Sequence, residues 1–261
     1  MSPKSDRQYH GRLKISENSD SIFIQGETFK YGFNKKSGLI NLFEVLGDNF
    51  LLGMNSEIPD IYISDAINPK KIFYSAKYED SAECEIIFES PYEVHIRTHG
   101  MYHNLLGDTF PVRYRITYEI QNDGNIFIIV NNKAYEPCNI RWLCISRGKL
   151  NPSLCRYYAK LDDLSKVNTT DNYTFEKIPV SDEQNLFCGR FIPWFWLGND
   201  KTGIEISIWD VTNYKFGATL IQGELVENFG DAGANILVKS NSSKILWEVF
   251  SLRNVQTKVE H

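Results

Sequence analysis

The chain has 261 residues, a formal net charge of −5 and no block of basic residues, which argues against a nucleic acid partner. No apolar run approaches the roughly 20 residues that a membrane helix needs, so we expect no membrane partner. Aromatic residues make up 13% of the chain and favour strands, because they pack well on a pleated surface.

The N-terminal third is predicted to form short strands separated by polar turns. Residues 1–10 are polar, and we expect a disordered tail there, followed by one domain over residues 11–258. The first 16 residues lack an apolar signal core, so the protein either stays in the cell or is secreted with its signal removed. Alternating or apolar segments predict strands at residues 12–16, 21–25, 28–33, 39–45, 60–64, 72–78, 84–89 and 93–98.

The clearest local signal in the chain is a hairpin. Residues 113–120 and 125–131 alternate between apolar and polar side chains, and Asp123-Gly124 lies between them. Asp-Gly favours the tight turn of a two-stranded hairpin. Further strands are predicted at residues 140–145, 173–180, 213–222, 235–239 and 244–252, and residues 161–166 are either one helical turn or part of a long loop.

Residues 187–210 contain three of the five tryptophans and are predicted to organise the C-terminal half. A polar turn at residues 198–203 separates an aromatic run from an alternating run, which indicates two strands joined by a loop. Many strands, no helix of three turns and no internal repeat together predict an all-β fold, a large two-sheet antiparallel β-sandwich.

The five cysteines indicate neither a metal site nor a complete set of disulfides. Their number is odd and no Cys-x-x-Cys pair occurs. Buried free thiols are expected, and one bridge within the series Cys138, Cys144 and Cys155 is the alternative.

Three segments resemble galactose mutarotase-like β-supersandwich domains. Residues 28–52 are similar to the strand, Lys-x-x-Gly turn and short strand with which those domains open, through Phe33, Asn34, Lys35, Gly38 and Ile40. The hairpin at 113–130 is similar to their long central hairpin, and residues 193–204 resemble a segment of sandwich domains that accompany the catalytic barrel in some glycoside hydrolases. The resemblance implies a supersandwich whose concave face meets carbohydrate.

The resemblance also suggests an acid–base pair. Mutarotase-type enzymes use a His acid and a Glu base on a sugar, which makes His99 or His103 candidates for the first role and Glu224 or Glu227 for the second. On a strand, His95 and His99 share a face. The alternative is that these histidines are solvated groups at a sheet edge or in a loop.

A second candidate site lies in the tryptophan segment. Alternation places Trp194 and Trp196 on one face of a strand, where with the nearby Arg190 they would form a platform for a sugar ring. Asp210 ends the same stretch and completes the predicted binding residues. The alternative is that both indoles fill the space between the sheets.

The sequence contains no nucleophile elbow, phosphate-binding loop, dinucleotide fingerprint or zinc motif, so no cofactor and no metal are predicted. The leading hypothesis is a carbohydrate-binding domain that accompanies a glycoside hydrolase-like catalytic domain, with a carbohydrate ligand and that catalytic domain as partners. The alternatives are a free-standing epimerase or lyase that uses His with a carboxylate, and a structural sandwich that mediates protein contacts.

Overall fold

The computed structural model describes residues 11–52, 56–65, 73–149, 151, 153–161, 178–179, 183–189, 194–211, 216–221, 224–229, 236–238 and 247–256. The predicted N-terminal tail and residues 162–166, where one helical turn was the alternative to a loop, lie outside this set. The described residues form 21 strands and one short 3₁₀ turn, Ala76–Tyr78. None of their helices is long and apolar enough to cross a membrane.

Five strands in chain order form a small antiparallel sheet: β1 (Lys14–Glu17), β2 (Ser21–Gln25), β3 (Phe29–Asn34), β4 (Ile40–Val45) and β5 (Asp48–Asn49).

The remaining strands form a large antiparallel sheet. They are β6 (Asp60–Asp65), β7 (Phe73–Ser75), β8 (Glu83–Glu89), β9 (Glu93–His103), β10 (Thr109–Gln121), β11 (Ile126–Ala134), β12 (Cys138–Lys149), β13 (Tyr157–Leu161), β14 (Ile178–Pro179), β15 (Glu183–Gly189), β16 (Trp194–Gly198), β17 (Thr202–Val211), β18 (Phe216–Ile221), β19 (Glu224–Phe229), β20 (Ile236–Val238) and β21 (Trp247–Gln256). Their order is β14-β13-β16-β17-β21-β11-β10-β9-β7-β6-β12-β19-β18-β15, with β8 also paired to β9 and β20 to β12. The predicted all-β, two-sheet antiparallel sandwich is confirmed.

The predicted hairpin is strands β10 and β11. Ile120 lies opposite Ile126, and Gly124 closes the turn with a φ of +88°. The tryptophan segment also forms the two predicted strands, β16 and β17, which pair from Trp194 opposite Ser207 to Gly198 opposite Gly203. Local turn chemistry was sufficient to predict both of these strand pairs.

The bounds of several predicted strands differ in the structure, and two of these differences have a local explanation. The strand expected at residues 72–78 ends at Ser75, whose hydroxyl accepts the Lys77 N–H and so begins the 3₁₀ turn. The strand expected at residues 93–98 continues to His103. Gly100 permits this extension because it has no side chain: a Cβ at this position would lie only 2.3 Å from the Tyr114 hydroxyl and would clash with it.

The core lies between the small sheet and the central strands β9, β10 and β11. On β10 every second residue is buried, including Tyr114, Ile116 and Tyr118. The ring of Phe33 in β3 meets the ring of Tyr118 edge-on, with 5.0 Å between the centroids. This packing covers one face of the central strands, and the side chains on their other face are half-buried or exposed.

The turn between β3 and β4 is hydrogen-bonded into the large sheet. The Ser37 carbonyl accepts the Tyr114 hydroxyl at 3.2 Å. The Gly38 carbonyl accepts the Tyr118 hydroxyl at 3.1 Å and the Thr98 hydroxyl at 3.0 Å. A buried hydroxyl without a hydrogen-bond partner destabilises the folded state. These three hydrogen bonds therefore fix the position of the small sheet on the core.

Cys84 is a half-buried free thiol and Cys155 a buried free thiol, and Cys138 is also buried. Burial raises the pKa of the Cys155 thiol to about 12, which keeps it protonated and unreactive at neutral pH. Because Cys155 is a free thiol, the structure contains no bridge through it.

Candidate functional site: the open face of the central strands

Strand β9 divides its side chains cleanly between two faces. Val94, Ile96, Thr98 and Tyr102 point to the small sheet and are buried. The alternate residues, which are half-buried, lie on the opposite face: His95, Arg97, His99, Met101 and His103. We call this solvent-facing side of β9, β10 and β11 the open face.

The strand register determines which side chains meet on the open face. Arg115 of β10 lies directly between His99 of β9 and Asn131 of β11. One row towards the β9–β10 turn, Arg113 lies opposite Lys133. Directly paired residues share a face at about 4.5–5.5 Å between their Cβ atoms, so the polar side chains of three strands meet in this row, beside the apolar Met101, Phe127 and Ile129 of the same face.

A buried carboxylate contacts His103 at the end of β9. Glu79 is 6% exposed, and its Oε2 lies 3.4 Å from His103 Nε2. The same oxygen accepts the Met101 N–H at 2.8 Å, while Oε1 accepts the Ser81 N–H and hydroxyl at 3.0 and 2.8 Å. The Thr109 hydroxyl lies 3.3 Å from His103 Nδ1.

Glu79 is held in its charged form. Burial alone would raise the pKa of this carboxyl group, but the hydrogen bonds from Met101 and Ser81, with the nearby His103, hold it below its ordinary value. A fixed carboxylate against one ring nitrogen orients the imidazole, as in the base–orienter pairs of acid–base catalysis. Glu79 and Thr109 therefore hold the His103 ring at its two nitrogens.

A second cluster lies at the opposite end of the open face. Glu93, His95 and Glu119 each have a ligand atom within 4.8 Å of the others. Glu93 Oε1 is 3.0 Å from His95 Nε2, and Glu119 is the cross-strand partner of His95. Two carboxylates and an imidazole are donors suited to a divalent cation, and the same groups also stabilise one another as an ion pair when His95 is protonated.

The structure does not place the predicted acid and base on adjacent strands. His99 and His103 belong to β9, whereas Glu224 and Glu227 belong to β19. Strands β7, β6 and β12 lie between them in the order of the sheet. The carboxylate that meets His103 is Glu79, which sequence reasoning missed because it lies in an ordinary polar turn, Tyr78-Glu-Asp-Ser81, with no motif around it.

The tryptophan segment is described only in part. Trp196 is fully buried, and a Cβ at Gly203 would lie 2.3 Å from its indole ring. A buried indole offers no face to a ligand, so Trp196 takes the packing role that was the alternative for it. Trp194 lies in β16 and Asp210 in β17, while Arg190 lies outside the described residues.

No protein-family model and no curated protein sequence matches the chain. Among solved structures, the chain is similar to galactose 1-epimerase from Lactobacillus acidophilus NCFM, with a TM-score of 0.54 and 10% identity over 95% of this chain and 98% of that one. It is also similar to 4-alpha-glucanotransferase from Thermococcus litoralis, with a TM-score of 0.53 and 10% identity over 95% of this chain and 40% of that one.

A third similar structure is an alpha-N-acetylgalactosaminidase from Bifidobacterium bifidum, with a TM-score of 0.53 and 11% identity over 93% of this chain and 36% of that one. The chain thus spans nearly all of the epimerase and less than half of the two larger enzymes. At these identities the likeness establishes the fold, and the expected likeness to mutarotase-type and glycoside hydrolase structures is confirmed.

Proposed function

We propose that the chain is a carbohydrate-binding β-supersandwich and that its ligand lies on the open face. The observation that carries this proposal is the row of His99, Arg115 and Asn131 across three central strands. Imidazole, guanidinium and amide groups donate and accept the hydrogen bonds that sugar hydroxyls make. The shared fold with three proteins named for sugar chemistry supports the same conclusion.

The proposed role is that of an accessory domain beside a catalytic domain of a glycoside hydrolase-like protein. This placement is supported by the two larger enzymes, of which the chain matches only 40% and 36%. The match to 98% of the epimerase supports the alternative of a free-standing protein. Arg190, Trp194 and Asp210 remain proposed ligand contacts in the tryptophan segment.

Isothermal titration of the chain with a panel of mono- and oligosaccharides tests the proposal. We expect saturable binding to at least one sugar, weakened about tenfold by Arg115→Gln because a charge-assisted hydrogen bond is lost. Arg12→Gln is the matched control, since Arg12 is equally exposed but precedes β1. Binding to no sugar, with an intact fold, would favour the structural sandwich that mediates protein contacts.

The Glu79–His103 contact supports a second candidate, a sugar epimerase or lyase. In that case His103 would move the proton and Glu79 would orient its ring. Proton NMR of galactose and glucose anomers would then show interconversion faster than in buffer, and His103→Gln would abolish it while His95→Gln would not. Equal rates with and without the protein would remove this candidate for those sugars.

A further inference from the structure

The end of the open face nearest the β9–β10 turn is strongly cationic. Arg113, Arg115 and Lys133 are all exposed. They lie on the adjacent strands β10 and β11, with Arg113 and Lys133 directly opposite one another and Arg115 one row away. We call these three residues the cationic end.

The opposed positive charges of the cationic end are unfavourable for the sheet itself. Like charges directly opposite each other on neighbouring strands destabilise a sheet. Within the part of the chain that the structure describes, none of the three permanent cations is in an ion pair with a carboxylate. The whole chain has a net charge of −5, so this local excess of positive charge is not a general property of its surface.

We propose that the cationic end binds an acidic glycan, a saccharide that carries carboxylate or sulfate groups. Guanidinium groups match both anions with a pair of parallel hydrogen bonds. Tyr135, which is 38% exposed, lies beside Arg113 with 5.9 Å between its ring centroid and the guanidinium carbon. An exposed ring next to a cation suits a sugar, which presents apolar C–H groups as well as anionic groups.

The rest of the surface favours a short acidic glycan over nucleic acid. The other end of the open face carries Glu93 and Glu119. On the adjoining strand β8, the exposed Glu83 lies opposite His99, one strand beyond Arg115, and the exposed Glu85 lies opposite Arg97. These carboxylates would repel a long polyanion that extended beyond the cationic end. A glycan of a few units is able to remain on the cations. This inference rests on the proposed carbohydrate-binding function and adds the class of ligand.

The test compares three probes on the full chain by isothermal titration at low salt: a heparin hexasaccharide, an uncharged maltohexaose and a single-stranded DNA 20-mer. We expect the heparin hexasaccharide to bind at least about tenfold more tightly than maltohexaose and DNA. The triple variant Arg113→Gln, Arg115→Gln, Lys133→Gln should weaken its binding by about tenfold or more, and added salt should weaken it in the wild type.

The matched control is Lys14→Gln, Lys30→Gln, Lys36→Gln, which removes the same charge from the small-sheet side and should leave heparin binding unchanged. Equal loss in both triple variants, or DNA binding as tight as heparin binding, would overturn the inference by showing unspecific attraction. Tight binding of maltohexaose but not heparin would overturn it while the proposed carbohydrate function survives. Binding of no saccharide would contradict both.

Discussion

At the scale of single residues, Glu79 is the group whose chemistry the fold controls most closely. Its carboxylate accepts three hydrogen bonds from Met101 and Ser81 while it is almost completely buried, and it contacts His103. Hydrogen bonds to a charged group stabilise a fold by about 1.5–3 kcal/mol each, less the cost of desolvating the charge. Glu79 therefore supports the end of β9 on which His103 lies.

We predict that Glu79→Gln lowers the free energy of unfolding by about 2 kcal/mol at neutral pH, because one amide oxygen replaces two carboxylate acceptors. Chemical denaturation of both proteins measures the difference. Glu83→Gln is the control, since Glu83 is exposed on β8, and it should change the free energy by less than about 0.5 kcal/mol.

The effect of Glu79→Gln should depend on pH. The pKa of Glu79 in the folded state lies below its ordinary value of 4.5, so its stabilisation is complete above that pH and is lost as the pH falls through the folded pKa. The difference between wild type and variant should therefore shrink as the pH falls below 4.5 and through the folded pKa. A difference that stays constant down to the lowest pH would show that Glu79 acts only through packing.

Residue-level sequence reasoning named His99 and His103 as candidates but missed Glu79. Both histidines lie beyond the strand predicted at residues 93–98, in the part of β9 that continues to His103. Glu79 reaches Met101 and His103 only because the polar turn after β7 folds against the end of β9. Nothing in the sequence around Glu79 encodes a contact across more than 20 residues of chain.

At the scale of elements, the turn between β3 and β4 joins the two sheets. Gly38 has a φ of +71°, and a Cβ there would lie 1.9 Å from Thr98 Cγ2. Its carbonyl also accepts hydroxyls from Thr98 and Tyr118. Both the backbone conformation and the close approach of the large sheet require glycine at this position.

We predict that Gly38→Ala lowers the free energy of unfolding by about 3 kcal/mol or more. The cost of placing alanine in a left-handed backbone conformation adds to the cost of its steric overlap with Thr98. Gly47→Ala is the matched control. Gly47 also has a positive φ, +87°, but no described atom lies within 4 Å of the place where a Cβ would be added. The Gly47→Ala substitution should therefore lower the free energy of unfolding by only about 1 kcal/mol. Equal costs in denaturant titrations would show that the large sheet does not press on Gly38.

Elements were predictable where turn chemistry is local. Asp123-Gly124 marked the β10–β11 hairpin, and the polar turn at residues 198–203 marked β16 and β17. The strand at residues 72–78 was predicted too long, because the Ser75 cap that ends it is a single side-chain hydrogen bond. The strand at residues 93–98 was predicted too short, since its extension depends on how Gly100 packs under Tyr114.

At the scale of the whole molecule, the sequence predicted the fold class but not which strands lie side by side. The pairing of β11 with β21 and of β6 with β12 joins segments far apart in the chain. Alternation shows that a strand has a buried face, but it does not identify the neighbouring strand. The open face depends on this order, so its row of His99, Arg115 and Asn131 emerged only from the structure.

The central claim is that a glycan binds on the open face of β9, β10 and β11. Chemical-shift mapping of backbone amides in the isotope-labelled chain, titrated with the tightest-binding saccharide, tests it most directly. The account predicts the largest shifts at Arg113, Arg115, Asn131 and Lys133, with the amides of β1 to β4 unchanged. Saturable shifts centred on the small sheet, with none on β9, β10 and β11, would contradict it.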